Sequence, residues 1–235
     1  MIHATPQSSI ADLALLAQKI LPDNVSCATG DPLCAGAELH PLEMGFAEKM
    51  CASRRIEFTC GRTIARRAMA PLGHGAAPVL MTSDRAPVWP ENIVGNLSHT
   101  STACIALAAP AREYVSLGVD LETDEPLDKD LIAEICNNDE NRWLLQQPED
   151  RCGQLARLVF SAKEAAYKAQ YPLTRTVFGF DRMSVSFDFP KGTFRAKFVN
   201  AVGGFQKDQY LNGCFQVDGG FILTVVTLTS CDWKG

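Results

Sequence analysis

No apolar run in this chain of 235 residues reaches the length of a membrane-spanning helix, which excludes a helical membrane protein. The opening residues, Met1-Ile2-His3-Ala4-Thr5-Pro6, carry neither the basic stretch nor the apolar block of a secretory signal, so a cytoplasmic protein is expected. Nine cysteines are present, but the number is odd, they are scattered, and no Cys-x-x-Cys pair occurs. They read as reduced, mostly buried thiols rather than a disulfide framework or a zinc site. Asn24-Val25-Ser26 and Asn96-Leu97-Ser98 fit the glycosylation sequon only incidentally on that reading. A basic excess is missing too. The net charge of −5 argues against bulk nucleic-acid binding, and any anionic ligand must meet a local basic patch. No internal sequence repeat is visible. What remains is an ordinary globular composition, 46% hydrophobic and 21% charged, long enough for one large domain or two small ones.

Helical spacing of Leu13, Leu16 and Ile20 after Ser9-Ile10-Ala11-Asp12 predicts a short amphipathic helix. Residues 22 to 40, rich in Pro, Gly, Asp and Cys, read as irregular. A longer helical stretch over residues 43 to 72, broken once, ends at Pro71 and Gly73. Residues 73 to 92 read as loop with at most one short strand. Residues 93 to 97 and 103 to 108 form a predicted strand pair, with another strand over 114 to 121. Residues 128 to 147 read as helix closed by Pro148, and 149 to 170 as helix ending before Pro172. The remainder is mostly strand, with Asp218-Gly219-Gly220 as a hairpin turn.

Two stretches carry chemistry. Gly118-Val119-Asp120-Leu121-Glu122 reads as a strand whose carboxylates, at i and i+2, share one face. Phe160-Ser161-Ala162-Lys163-Glu164-Ala165-Ala166-Tyr167-Lys168 reads as a helix with a third carboxylate between two lysines. Three acidic oxygen ligands suit Mg²⁺, and the lysines suit a polyanion such as a pyrophosphate. Plainer readings stand beside these. Asp120 and Glu122 also fit a solvated acidic turn running into Thr123-Asp124-Glu125-Pro126. Ser161 and Glu164 also fit a capping box, with Glu164 and Lys168 as an ordinary i,i+4 pair.

The two stretches closely resemble the signature motifs of the 4'-phosphopantetheinyl transferases, G-[VI]-D and [FW]-x-x-K-E-x-x-x-K, in the long single-chain type. Two further matches extend the resemblance over roughly residues 50 to 190: Pro87-Val88-Trp89-Pro90 followed by Ser98-His99, and Arg54-Arg55-x-Glu57-Phe58-x-x-x-Arg62-x-x-Ala65-Arg66. In that second match Phe58, Ala65, Met69 and Leu72 form the apolar stripe and Arg67 points away from it. Arg54 falls within the stripe and Arg62 lies one helical step from Phe58, where an arginine snorkels to solvent or meets an anion.

The resemblance implies an α+β fold of two similar α/β halves in a pseudo-twofold arrangement, residues 1 to 112 and 113 to 235, with the active site in the cleft between them. It implies Mg²⁺ bound by Asp120, Glu122 and Glu164, with Glu164 also the general base and Lys168 beside it in the catalytic set. Arg54, Arg62, Arg66, Ser98, His99, Lys163 and Lys168 would then contact coenzyme A (CoA). The implied reaction moves 4'-phosphopantetheine from CoA to a serine of an apo acyl or peptidyl carrier protein and releases adenosine 3',5'-bisphosphate. A monomer is expected, because the long type already contains both halves. Relatives of this type place a lysine ahead of the Pro-x-Trp-Pro segment, where Met81 or Ser83 stands here, leaving Arg85 as the substitute. Two rival readings use the same residues: a Mg²⁺-dependent phosphohydrolase acting on CoA-like pyrophosphates, and a non-catalytic CoA-binding module.

Overall fold

The computed structural model describes residues 6–33 and 36–233. The chain divides into two compact units, Met1–Leu117 and Gly118–Gly235. Each pairs one long helix with an antiparallel sheet, an α+β plan used twice.

In the first unit, helix α1 (Pro6–Ile20) buries Leu13, Leu16 and Ala17 at helical spacing. Strand β1 (Ser26–Gly30) follows. Sequence reasoning leaves this segment irregular because its side chains are small and only Thr29 favours a strand. It is nonetheless an edge strand, paired along its whole length with β5. A 3-10 turn (Pro41–Glu43) and a short α2 (Met44–Ala47) precede α3 (Ala52–Met69), so the expected long helix is broken once, between α2 and α3. Strands β2 (Leu80–Met81) and β3 (Pro87–Val88) make a small two-stranded hairpin where at most one strand was expected. Strands β4 (Ile93–His99) and β5 (Cys104–Pro110) complete a three-stranded sheet in the order β1-β5-β4. The Ile64, Ala65, Ala68 and Met69 face of α3 closes the core against Cys104, Ala106 and Ala108. Arg67 is exposed, as its position on the helical wheel requires.

The second unit orders its five strands β6-β10-β9-β8-β7. They are β6 (Ser116–Thr123), β7 (Met183–Asp188), β8 (Thr193–Phe198), β9 (Tyr210–Asp218) and β10 (Phe221–Leu228). Asp218 pairs with Phe221 around Gly219 and Gly220. Both glycines have positive φ, as the expected two-residue hairpin turn demands.

The single helix expected over residues 128 to 147 is two, α4 (Lys129–Ile135) and α5 (Asn138–Leu144). Asn137 is extended, and its side chain accepts from Asp139 and Glu140 N–H, restarting the helix with a capping box. Helix α6 (Cys152–Thr174) runs past Pro172 rather than stopping before it. The proline falls in its last turn, and Arg175, in the left-handed conformation, closes the helix on the Tyr171 carbonyl. Ala162, Ala165, Ala166 and Ala169 make the buried face of α6.

Among the described residues eight cysteines are free thiols, of which Cys60, Cys104 and Cys136 are buried, Cys51 and Cys231 exposed, and the other three half-buried. Their burial is thus more partial than expected, and Cys34 lies outside the described residues. No helix among the described residues is long and apolar enough to cross a membrane.

Candidate active site

Gly118 sets the geometry of the second unit's site. A Cβ on Gly118 would overlap the Ala165 carbonyl oxygen and come within 2.8 Å of the Ala169 nitrogen, so only glycine lets α6 lie directly on β6. Asp120 and Glu122 share the face of Gly118 and are therefore turned toward the same helix. Each meets a base on α6: Lys168 Nζ donates to Asp120 Oδ1 at 2.6 Å, and Arg157 Nη1 to Glu122 Oε2 at 2.7 Å. Val119 and Leu121 are fully buried on the other face, and Asp120 is itself only 3% exposed. The solvated acidic turn is thereby excluded for Asp120.

Glu164 stands on α6 one turn before Lys168 and is half-buried. Burial pushes its carboxyl above the usual glutamate value, Asp120 and Glu122 push it the same way, and Lys168 opposes them. Glu122 is raised for the same reasons, first burial and then Asp120, against Arg157 and Lys168. The capping-box account of Ser161 and Glu164 fails. Ser161 lies inside the helix, wholly buried, and its hydroxyl is 2.9 Å from that of Thr224 on β10.

Whether these residues fit Mg²⁺ can be judged on the donors themselves. They are oxygen-only, anionic and mutually repelling, the conditions a hard cation relieves. As placed, however, no three acidic, His or Cys side chains among the described residues converge on one point, because Asp120 and Glu122 each turn to a basic partner. The donor chemistry fits, with lysine and arginine supplying positive charge to the two strand acids here.

Beside Glu164 lies a pocket of about 90 Å³, lined also by Lys163, Tyr167, Phe178, Gly179, Phe180 and Met183 and mostly apolar. Lys163 does not serve it as a phosphate ligand. Its ammonium is 2% exposed and donates to Glu140 Oε2 at 2.7 Å, the Ile135 carbonyl at 2.8 Å and the Phe180 carbonyl at 3.1 Å. All three N–H groups are used inside the fold, so the expected CoA contact of Lys163 is set aside.

In the first unit Arg62 is the outstanding cation. It is 5% exposed, stacks its guanidinium 4.5 Å from the Phe58 ring centre, and donates from Nη2 to the Leu80 carbonyl at 3.2 Å. Its Nε is buried without a hydrogen-bond partner. Burial drives its pKa down to about 10, Glu43 opposes, and Arg54 and Arg66 add to the fall. A desolvated cation with a spare donor is poised for an anion. Arg54 is exposed and pairs with Glu57 at 3.0 Å. His99 is half-buried at the end of β4, its Nδ1 3.4 Å from the Thr100 carbonyl oxygen, and Ser98 beside it is buried. Arg66 is otherwise engaged. It pairs with the fully buried Glu43 at 2.6 Å and donates to the Glu38 carbonyl, so its expected CoA contact is also set aside. Arg85 has positive φ in the β2–β3 turn and is exposed.

Arg157, Glu140 and Glu43 escape sequence reasoning. Arg157 shares the face of Ser161, Glu164 and Lys168 by helical spacing, and Glu140 completes an Asn-x-x-Glu capping box, so signals for both were present.

A family model described as "4'-phosphopantetheinyl transferase N-terminal domain" matches residues 42–109, and one described as "4'-phosphopantetheinyl transferase superfamily" matches residues 116–226. The chain is 32% identical over 196 residues to 4'-phosphopantetheinyl transferase Svp of Streptomyces mobaraensis, covering 82% of this chain and 79% of that one. It is 31% identical over 221 residues to 4'-phosphopantetheinyl transferase Npt of Nocardia iowensis, covering 89% and 98%. Similarity to enterobactin synthase component D of Salmonella typhi is 31% over 133 residues, covering 57% and 55%.

Proposed function

The chain belongs to the 4'-phosphopantetheinyl transferase superfamily, enzymes that move 4'-phosphopantetheine from CoA to a carrier protein, and we propose that it does so in a Mg²⁺-dependent reaction run from the face of β6 under α6. The observation that carries this reading is the contact of Gly118 with Ala165, which brings Asp120, Glu122, Glu164 and Lys168 onto one surface. Asp120, Glu122 and Glu164 would hold the ion. When bound, it supplies charge screening to the pyrophosphate and to the leaving phosphate.

The serine oxygen of the carrier forms the new bond to the β-phosphorus of CoA. The bond from that phosphorus to the bridging oxygen breaks, and adenosine 3',5'-bisphosphate leaves. Glu164 takes the serine proton, a role that a carboxyl raised above its usual value by burial suits better than an ordinary surface glutamate. Lys168 sets positive charge on the same surface. The apolar pocket beside Glu164 suits the uncharged pantetheine arm. Arg62, with a buried spare donor, suits a nucleotide phosphate remote from the reacting atoms, and Arg54 and His99 belong to the same proposed set. A monomer is part of the proposal, supported by the two family models falling on successive parts of one chain.

Intact-mass measurement of several apo carrier proteins incubated with the protein, CoA and Mg²⁺ tests the reading. It predicts one added phosphopantetheine group on at least one carrier and an equal yield of adenosine 3',5'-bisphosphate. CoA cleavage at the same rate without any carrier would replace the transferase mechanism with a phosphohydrolase.

A further inference from the structure

Two carboxylates outside the proposed chemistry are buried in the same way, one in each unit. Glu43 is 0% exposed and Glu140 2%. Each is the third residue of a helical turn begun by a capping box, and each accepts from the backbone N–H three residues before it, His40 at 2.9 Å and Asn137 at 2.8 Å. Each accepts a side-chain cation 23 residues further on, Arg66 at 2.6 Å and Lys163 at 2.7 Å. Each gives its other oxygen to the backbone N–H of a later valine, Val79 at 2.8 Å and Val185 at 2.7 Å. Arg66 and Lys163 in turn each donate to a main-chain carbonyl 28 residues earlier, Glu38 and Ile135. Three of these spacings are identical, from carboxylate to capping N–H, from carboxylate to cation and from cation back to its carbonyl, while the valine lies 36 residues on in one unit and 45 in the other. Both carboxylates are fully used by donors, so neither is a ligand site.

What each pair holds is the long helix of its unit. Arg66 is one turn along α3 from Arg62, and Lys163 is the residue before Glu164 on α6. We infer that Glu43 and Glu140 are matched positioning residues: each ties its unit's long helix to the capping turn before it and to the strand segment after it, and so sets Arg62 in one unit and Glu164 in the other. An ion pair whose carboxylate is buried and fully hydrogen-bonded specifies position more than it adds stability. The inference rests on the roles proposed above for Arg62 and Glu164.

The full-length protein carrying Glu43→Gln or Glu140→Gln tests it, read by CoA dissociation constant without carrier, by kcat and KM per folded molecule, and by melting temperature. Glu43→Gln is expected to weaken CoA binding about tenfold with kcat within about threefold of wild type, and Glu140→Gln to lower kcat about tenfold with CoA affinity within about threefold. A purely structural role would lower melting temperature in both variants and leave both constants of the folded fraction unchanged, which overturns the inference. Should the glutamine variants not fold, Arg66→Lys and Lys163→Arg decide, since each installs the cation the other unit uses. Retention of CoA affinity and kcat within about threefold supports the match, and a loss above about tenfold in either overturns it. Failure of the underlying reading is separable: Arg62→Ala would then leave CoA affinity unchanged and Glu164→Gln would leave kcat unchanged.

Discussion

The two units grip their long helices alike and charge them oppositely. In the first, burial holds an arginine, Arg62, with its pKa down at about 10 and a donor to spare. In the second, burial holds the carboxyls of Glu122 and Glu164 above their usual values. Each charge is costly where it stands, and each cost is relieved by a ligand of opposite sign. A further likeness lies in the sheets. A Cβ on Gly95 of β4 would come 2.7 Å from both the Leu107 carbonyl oxygen and the Trp89 ring. One on Gly213 of β9 would come 2.7 Å from the Val225 carbonyl oxygen and overlap the Phe194 ring. The shared plan belongs to backbone packing, and the difference in chemistry to a few side chains set upon it.

The widest split between the units is expected in turnover. Glu164→Gln should lower transfer by about 10²- to 10⁴-fold at saturating CoA, the range for a positioned acid or base, while CoA affinity changes little. Next comes affinity. Arg62→Ala should weaken CoA binding by about tenfold or more, from the loss of charge-assisted hydrogen bonds, with kcat largely kept. Calorimetry without carrier separates the two; equal effects of both substitutions on both constants would erase the contrast.

A smaller effect reports on the scaffold. Gly118→Ala should destabilise the protein by about 1–3 kcal/mol in urea unfolding, because the Ala165 carbonyl cannot yield without moving α6. Gly73→Ala would strain a left-handed turn with open space around it and leave transfer per folded molecule unchanged. The smallest effect is on pH dependence. A carboxyl whose folded pKa is raised costs stability once pH exceeds that value and costs none below the unfolded value. Glu164→Gln should therefore raise the melting temperature by about 1–2 °C near neutrality and lose that advantage in acid. A stabilisation that grew as pH fell would reverse the sign assigned to Glu164.

Much of the second unit was legible because its chemistry lies in a short strand and one helix, where period two and period 3.6 set the faces. The alternation of Asp120 and Glu122 and the hairpin at Gly219 and Gly220 follow from local rules. Strand β1 was not legible, since Ser26-Cys27-Ala28-Thr29-Gly30 gains strand structure only by pairing with β5. Nor were the interior roles of Lys163 and Arg66. Both sit in family motifs among residues expected to touch CoA, and only the fold shows that Glu140 and Glu43 have claimed them. The repeated spacing from Glu43 to Arg66 and from Glu140 to Lys163 stayed hidden because the basic residues differ and no neighbouring sequence recurs.

The central claim is that the acids on β6 work through a divalent ion. Its most direct test is the rate of carrier modification by Asp120→Ala and by wild type, at saturating CoA, across a Mg²⁺ titration that starts from metal-free protein. The account predicts that wild type makes no holo-carrier without a divalent ion, and that Asp120→Ala stays at least about 10²-fold slower at every low Mg²⁺ concentration. Near-normal transfer by Asp120→Ala at low Mg²⁺ would contradict it.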